Sequence, residues 1–225
     1  MISQDFKTES PENYEQKCCC VLVLDVSASM NGSPISELNE GLKAFYRDIH
    51  ADSTTCNRLE VSIVTFNDTV KTLVQPSLVS KFTIPVLSAD GGTKLVDGVQ
   101  EGIRIIRARK NWYKQTGQPY YRPWIILMTD ADPDNTQNLT GLATEIKQAM
   151  ANKDFFFLAI GVQGADMEKL KSIADPSMPA MKLQGLKFSE FFRWLSASMT
   201  TVTNSKDGSM VNLPNPAQWM VGFTI

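Results

Sequence analysis

Residues 18–29 read Cys18-Cys19-Cys20-Val21-Leu22-Val23-Leu24-Asp25-Val26-Ser27-Ala28-Ser29. An unbroken apolar run closed by an aspartate is how a parallel strand covered on both faces reads. The polar residues that end it, Asp25, Ser27 and Ser29, alternate. They point the same way if the chain stays extended past the strand. After a short Ser/Gly/Pro turn, Ile35, Leu38, Leu42, Phe45 and Ile49 recur at the spacing of an amphipathic helix. Ser33 and Pro34 suit its N-cap and first position.

Working outward, Leu59 to Phe66 is a second strand, β-branched and aromatic. Asn67-Asp68 signals a turn, so Val70 to Val74 is expected as an antiparallel edge strand. Val96, Val99, Ile103 and Ile106 share a helix face. Trp124 to Thr129 is a strand that ends at Asp130. A helix over about Leu139–Asn152, a strand over Phe155–Val162, a short helix around Met167–Ala174, a short strand around Met181–Leu183 and a helix over about Ser189–Val202 complete the pattern. Strands alternating with helices predict an α/β fold: a Rossmann-like, doubly wound, mostly parallel sheet with one antiparallel edge strand and helices on both faces. The polar stretch 1–16, with Pro11, reads as an arm, 17–203 as one domain and 204–225 as a tail. Val211–Leu213 and Trp219–Phe223 could pack that tail back on the body.

The 225 residues carry 22 Lys plus Arg against 24 Asp plus Glu, a net charge of −2, with 43% apolar and 20% charged residues. Disordered, collagen-like and coiled-coil classes are excluded by this composition. A near-neutral balance argues against nucleic-acid binding, which needs Lys and Arg in excess. Neither a basic start followed by an apolar stretch nor a run of about 20 apolar residues occurs, so no signal peptide and no membrane span are expected. Cys18, Cys19, Cys20 and Cys56 form no CxxC pair and read as reduced thiols of a cytoplasmic protein, with Cys18 and Cys20 packing at the start of a buried strand. The ten methionines read as core filler. The cationic and aromatic stretch Arg104–Trp124 reads as a solvated helix end followed by packed aromatics.

In open α/β sheets, ligands bind beyond the C-terminal ends of the strands, where strand order reverses. Three loops compete for that rim: Asp25-x-Ser27-x-Ser29, Asp90-Gly91-Gly92-Thr93 before a helix, and Thr129-Asp130. If they share it, two carboxylates and three hydroxyls converge with no His or Cys. That oxygen set suits a hard cation, Mg²⁺ first, with Mn²⁺ or Ca²⁺ as alternatives. Two carboxylates balance a divalent ion, and neutral hydroxyls leave it open to one more anion. Gly91 and Gly92 allow close backbone approach. Asp25 and Asp130 taken singly could also serve only as turn caps.

A hydrolase would need a base, and the lone histidine, His50, ends the first helix at the opposite rim from Ser27. There is no GxSxG elbow, no GxxxxGK[ST] loop, no GxGxxG and no DxDx[TV] pattern. The chain is therefore expected not to be an enzyme. A Mg²⁺-dependent phosphoesterase and a metal-independent interaction module remain as alternatives.

Taken together, Asp25-x-Ser27-x-Ser29, Thr93 after a glycine pair and Thr129-Asp130 resemble the metal-ion-dependent adhesion site, or MIDAS, of von Willebrand factor A (vWA) domains. In element order the likeness covers roughly residues 18–203. A narrower likeness is to the small bacterial TerY/YegL-type proteins associated with tellurite resistance. Tyr120-Tyr121-Arg122-Pro123-Trp124, Phe157-x-Ala159-Ile160-Gly161-Val162 and Phe191-x-x-Trp194-Leu195-Ser196 carry it. The resemblance implies the vWA fold. It implies that Ser27, Ser29 and Thr93 touch the metal, and that Asp25 and Asp130 bind it directly or through water. An acidic residue of a protein partner would complete the shell, with Asn31, Gly92 and Asp132 on the partner-binding rim. It further implies partner binding without catalysis, in a stress-response or kinase–phosphatase signalling setting where a kinase or phosphatase is a candidate partner. Ala28 and Ala131 stand where many relatives have glycine, and Asp132 and Asp134 add negative charge; no ligand is lost.

Overall fold

In β1 (Cys18–Asp25) every residue is buried. Its alternating side chains serve two separate cores, as a strand covered on both faces requires. Cys18, Cys20, Leu22 and Leu24 pack with Leu38, Leu42 and Phe45 of α1 (Ser33–His50) and Phe188, Phe191 and Leu195 of α6 (Phe188–Thr203). Cys19, Val21 and Val23 face the other way. They pack with Leu95, Val99, Ile103 and Ile106 of α3 (Leu95–Thr116), Ile146 of α4 (Leu139–Ala151) and Leu170 of α5 (Met167–Ile173). The computed structural model describes residues 10–130, 136–206, 209–216 and 219–220.

The remaining elements are α2 (Ser53–Arg58), β2 (Leu59–Phe66), β3 (Val70–Leu78), β4 (Trp124–Thr129), β5 (Phe156–Gly161) and β6 (Met181–Lys182). One six-stranded sheet has the order β3-β2-β1-β4-β5-β6. β3 runs antiparallel to β2, and every other pairing is parallel. From β1 the chain first winds outward to β2 and β3, then returns to the other side of β1 for β4, β5 and β6. The reversal lies between β1 and β4, so Asp25 and Asp130 flank the switch point. No helix among the described residues is long and apolar enough to cross a membrane.

The secondary structure and packing depart from the sequence reading at several points away from the site. First, Ser33 and Pro34 are both inside α1, and its N-cap is Gly32 at φ +81, backbone that favours glycine. Second, α2 is a polar turn without apolar periodicity. The Asp52 carboxylate caps it by accepting from the Thr55 amide at 2.7 Å. Third, β3 continues past Val74 to Leu78 across an irregular register, with Pro76 tolerated because this is an edge strand. Fourth, the Arg104–Trp124 stretch is not solvated throughout. Arg109 is 2% exposed and grips Glu60 of β2, itself 3% exposed, through two bonds of 2.8 and 2.6 Å. Arg104 and Arg107 do reach solvent and pair with Glu101 and Glu145.

Both ends of the described chain are tied to the body. Glu12 pairs with Lys81 at 3.3 Å and Glu15 with Arg58 at 2.9 Å. In the tail, Trp219 is buried against Phe191 and Trp194, and Trp194 Nε1 donates to the Pro214 carbonyl at 2.7 Å. Residues 221–223 lie outside the described residues. Cys18, Cys19 and Cys20 are buried free thiols. Met30, Met128 and Met199 fill the core, while Met210 is exposed.

Candidate metal centre

β1 ends at Asp25, which is fully buried. Beyond it the chain is stitched to two neighbours: Val26 N–H donates to the Phe66 carbonyl and Ala28 N–H to the Gly91 carbonyl, both at 3.0 Å. In return Asp90 N–H donates to the Val26 carbonyl at 2.9 Å. The first two loops of the expected rim are thus one hydrogen-bonded unit. The chain does not stay extended, because Ala28–Met30 turn as a short 3₁₀ segment. Ser27 and Ser29 still converge. Their hydroxyl oxygens are 3.0 Å apart, and Ser29 Oγ donates to Asp130 Oδ1 at 2.8 Å. A tight turn therefore does what alternation in an extended strand was expected to do.

Asp25 organises the floor. Its Oδ1 accepts from the Ser27 amide at 2.8 Å, and its Oδ2 accepts from the Thr129 hydroxyl. Burial pushes its carboxyl up to about 6, opposed by the bonds from Ser27 and Thr129 and reinforced by Asp130. The Asp130 carboxyl is also held above the usual range, by burial, with the Ser29 bond opposing. Neither carboxylate has an ion-pair partner among the described residues.

Thr93 comes from the loop before α3. Asn67 of the β2–β3 turn holds this loop, its Nδ2 donating to Asp90 Oδ1 at 2.5 Å and its carbonyl accepting from the Lys94 amide at 2.9 Å. The Asp68 carboxylate lies across Gly91 and Gly92, on the space where their Cβ atoms would stand, and Gly91 adopts φ +71. A Cβ at either position would have to push the exposed Asp68 carboxylate aside, and the positive φ of Gly91 is what favours glycine there. From the other side Gln137 Nε2 donates to the Thr93 carbonyl at 2.7 Å. The Thr93 hydroxyl makes no hydrogen bond among the described residues.

Of the expected rim, Asn31 is exposed and turns its Oδ1 back to the Gly32 amide at 2.8 Å. Gly92 sits beneath Asp68. Asp132, with Ala131 and Asp134, lies outside the described residues. His50 stands at the far end of the 18-residue α1, with its Nδ1 4.0 Å from Cys56 Sγ. No Ser–His pair is therefore assembled at Ser27. Asn67 and Asp68 read from sequence only as a turn, and Gln137 was not singled out, because each resembles ordinary turn composition.

The donor set fits a hard divalent cation. Two buried carboxylates, the Ser27 and Ser29 hydroxyls and a Thr93 hydroxyl without a hydrogen-bond partner among the described residues are all oxygen. No group of three or more His, Cys, Asp or Glu gathers among the described residues, so neither a thiolate or imidazole site nor an all-carboxylate cage is built.

A family model for the von Willebrand factor type A domain matches residues 20–184. This chain belongs to that family. Solved structures agree on the fold. The pilus adhesin SpaC from Lactobacillus rhamnosus GG, in its open conformation, superimposes with a TM-score of 0.67 at 15% identity, over 86% of this chain and 31% of that one. Proximal thread matrix protein 1 from the mussel byssus, in a form with a zinc-occupied MIDAS motif, has a TM-score of 0.54 at 18% identity, over 85% and 46%. The ArnB paralog VWA2 from Sulfolobus acidocaldarius has a TM-score of 0.55 at 16% identity, over 83% and 46%. The chain thus spans less than half the length of each of these vWA proteins. No match is found among curated proteins. vWA domains are commonly metal-dependent protein-interaction modules, and they generally serve adhesion and interaction rather than catalysis.

Proposed function

We propose that this vWA domain binds a protein partner through a Mg²⁺ ion held by Asp25, Ser27, Ser29, Thr93 and Asp130, with an acidic side chain of the partner completing the coordination. The observation that carries this is the convergence of Asp25, Ser27, Ser29 and Asp130 in one hydrogen-bonded cluster, to which the Thr93 loop is bonded through Gly91. When bound, the ion would supply a positive centre that attracts a carboxylate. The protein does the rest. Asp25 fixes the Ser27 backbone, Thr129 orients Asp25, and Ser29 links the first loop to Asp130. The net charge of the ligand set, −2 from two carboxylates, leaves a divalent ion receptive to a further anion. Mn²⁺ and Ca²⁺ suit the same oxygens.

The narrower TerY/YegL-type resemblance supports a setting in tellurite resistance or stress response, with a kinase or a phosphatase as the partner to try first. Four free cysteines support a cytoplasmic location. Capture experiments with wild type and Asp25→Ala, each in Mg²⁺ and in EDTA, test the reading. Partners retained by wild type in Mg²⁺ alone are expected. Recovery of the same partners in all four conditions would mean a metal-independent interaction module instead.

A further inference from the structure

We propose that Gln137 is a positioning residue of the metal centre, holding Thr93 in place at the start of α3; the inference rests on the metal-binding reading above. Thr93 is the ligand with the least support of its own. Its hydroxyl is free of hydrogen bonds among the described residues, and its one hydrogen bond there is the 2.7 Å contact from Gln137 Nε2 to its carbonyl oxygen. The neighbouring residues of its loop are held from the β1 and β2 side, through Val26, Ala28 and Asn67. Among the described residues, Gln137 is the one that hydrogen-bonds Thr93 itself.

The same amide works in both directions. Gln137 Oε1 accepts from the Val96 amide at 2.9 Å, in the first turn of α3. That turn needs an acceptor, because the residue at its N-cap, Lys94, offers no side-chain bond. One planar group thus straddles the point where the Thr93 loop becomes α3. A donor and an acceptor on one side chain are required, which glutamine has and glutamate or leucine lacks. Only one orientation of the amide satisfies both partners, so its assignment is unambiguous.

Gln137 is itself well anchored. Its carbonyl accepts from the Leu139 amide at 2.9 Å, and the next residue, Asn138, caps α4 by accepting from the Gly141 amide at 2.9 Å. It lies seven positions after Asp130 in the segment joining β4 to α4. Gln137 therefore ties the Thr93 loop and the start of α3 to the segment that leads into α4. Residues of this kind, which touch a ligand rather than the metal, typically change metal affinity by 10–100-fold.

The test is a double-mutant cycle read by Mn²⁺ titration calorimetry, on wild type, Gln137→Ala, Thr93→Ala and the double variant. Gln137→Ala is expected to weaken Mn²⁺ binding about tenfold. In the Thr93→Ala background the same change is expected to weaken it less than twofold, because Gln137 acts through Thr93. Melting in EDTA checks the fold of each variant; if Gln137→Ala does not fold, Gln137→Met carries the same cycle at conserved volume. Equal losses in both backgrounds would reduce Gln137 to a general brace and overturn the proposal. Wild-type affinity in Gln137→Ala, with binding abolished by Asp25→Ala, would overturn it while leaving the metal site intact. Absence of Mn²⁺ binding in wild type would remove both.

Discussion

The two ends of the sheet bury carboxylates in opposite ways. At the N-terminal end, Glu60 is enclosed by the Arg109 guanidinium, which meets it with two bonds, and by the Tyr113 hydroxyl. Arg109 in turn lies over the Trp112 ring, 4.0 Å from its centroid. The Glu60 charge there has its complement within the protein. At the C-terminal end, Asp25 and Asp130 are 0% and 9% exposed, yet hydroxyls and backbone amides are their only partners among the described residues. A buried carboxylate satisfied by a cation of its own chain is a structural element. One left without such a cation is suited to take one from outside. The same residue type at similar depth thus has different meanings, and the neighbours decide which.

The largest effect should come from breaking the closed end. Arg109→Ala would strand Glu60 in the interior, at a cost of about 3–5 kcal/mol. Thermal denaturation should show a fall of at least about 6 °C, with the shift produced by Mg²⁺ unchanged. A variant that melted like wild type would mean that the ion pair is not what stabilises this end.

Breaking the open end should do the reverse. Thr93→Ala removes a hydroxyl that bonds nothing among the described residues, so its melting temperature in EDTA should stay within about 2 °C of wild type, the range of neutral surface changes. Its Mn²⁺ affinity, measured by calorimetry, should fall at least about tenfold. A large loss of stability in EDTA would show that Thr93 is structural.

A smaller effect sharpens the comparison with pH. Cys18 begins β1 at the closed end, where burial, helped by Glu60, pushes its thiol from the ordinary range up to about 12. Above about pH 9 the unfolded chain loses this proton while the folded chain keeps it. The folded state then binds more protons, and stability falls as pH rises from 9 towards 12, by up to about 1.4 kcal/mol per unit for one thiol. Urea unfolding between pH 8 and pH 10 should therefore show a shallower decline for Cys18→Ala than for wild type. At pH 8, a thiol reagent should label Cys56 in the native protein and spare the three buried cysteines.

How far sequence reached follows from where the information sits. β2 and β4 are found with the very bounds expected, Leu59–Phe66 and Trp124–Thr129, because strands buried on both faces are written as unbroken apolar runs. The five candidate ligands lie in three short windows, two at the ends of β1 and β4 and one just before α3, each legible locally in the sequence. Less accessible were features set by distant partners. The burial of Arg109 depends on Glu60, 49 positions away, and the contact of Gln137 with Thr93 spans 44. The short helix α2 has no apolar stripe; a cap at Asp52 and a bond between the hydroxyls of Thr55 and Thr203 hold it instead. Local pattern announces elements that bury a face, and it is silent on polar pairs whose second member lies elsewhere.

The central claim, that the open end of the sheet takes a divalent cation, is tested most directly by thermal melts of wild type and Asp25→Ala in EDTA, in Mg²⁺ and in Mn²⁺. For a dissociation constant of about 1 mM and about 10 mM ion, linkage gives roughly 1.4 kcal/mol of stabilisation, a rise of about 3–6 °C for a chain of this size. The account predicts that rise in wild type and its absence in Asp25→Ala. An equal rise in both proteins would contradict it, since the ion would then be acting somewhere other than Asp25.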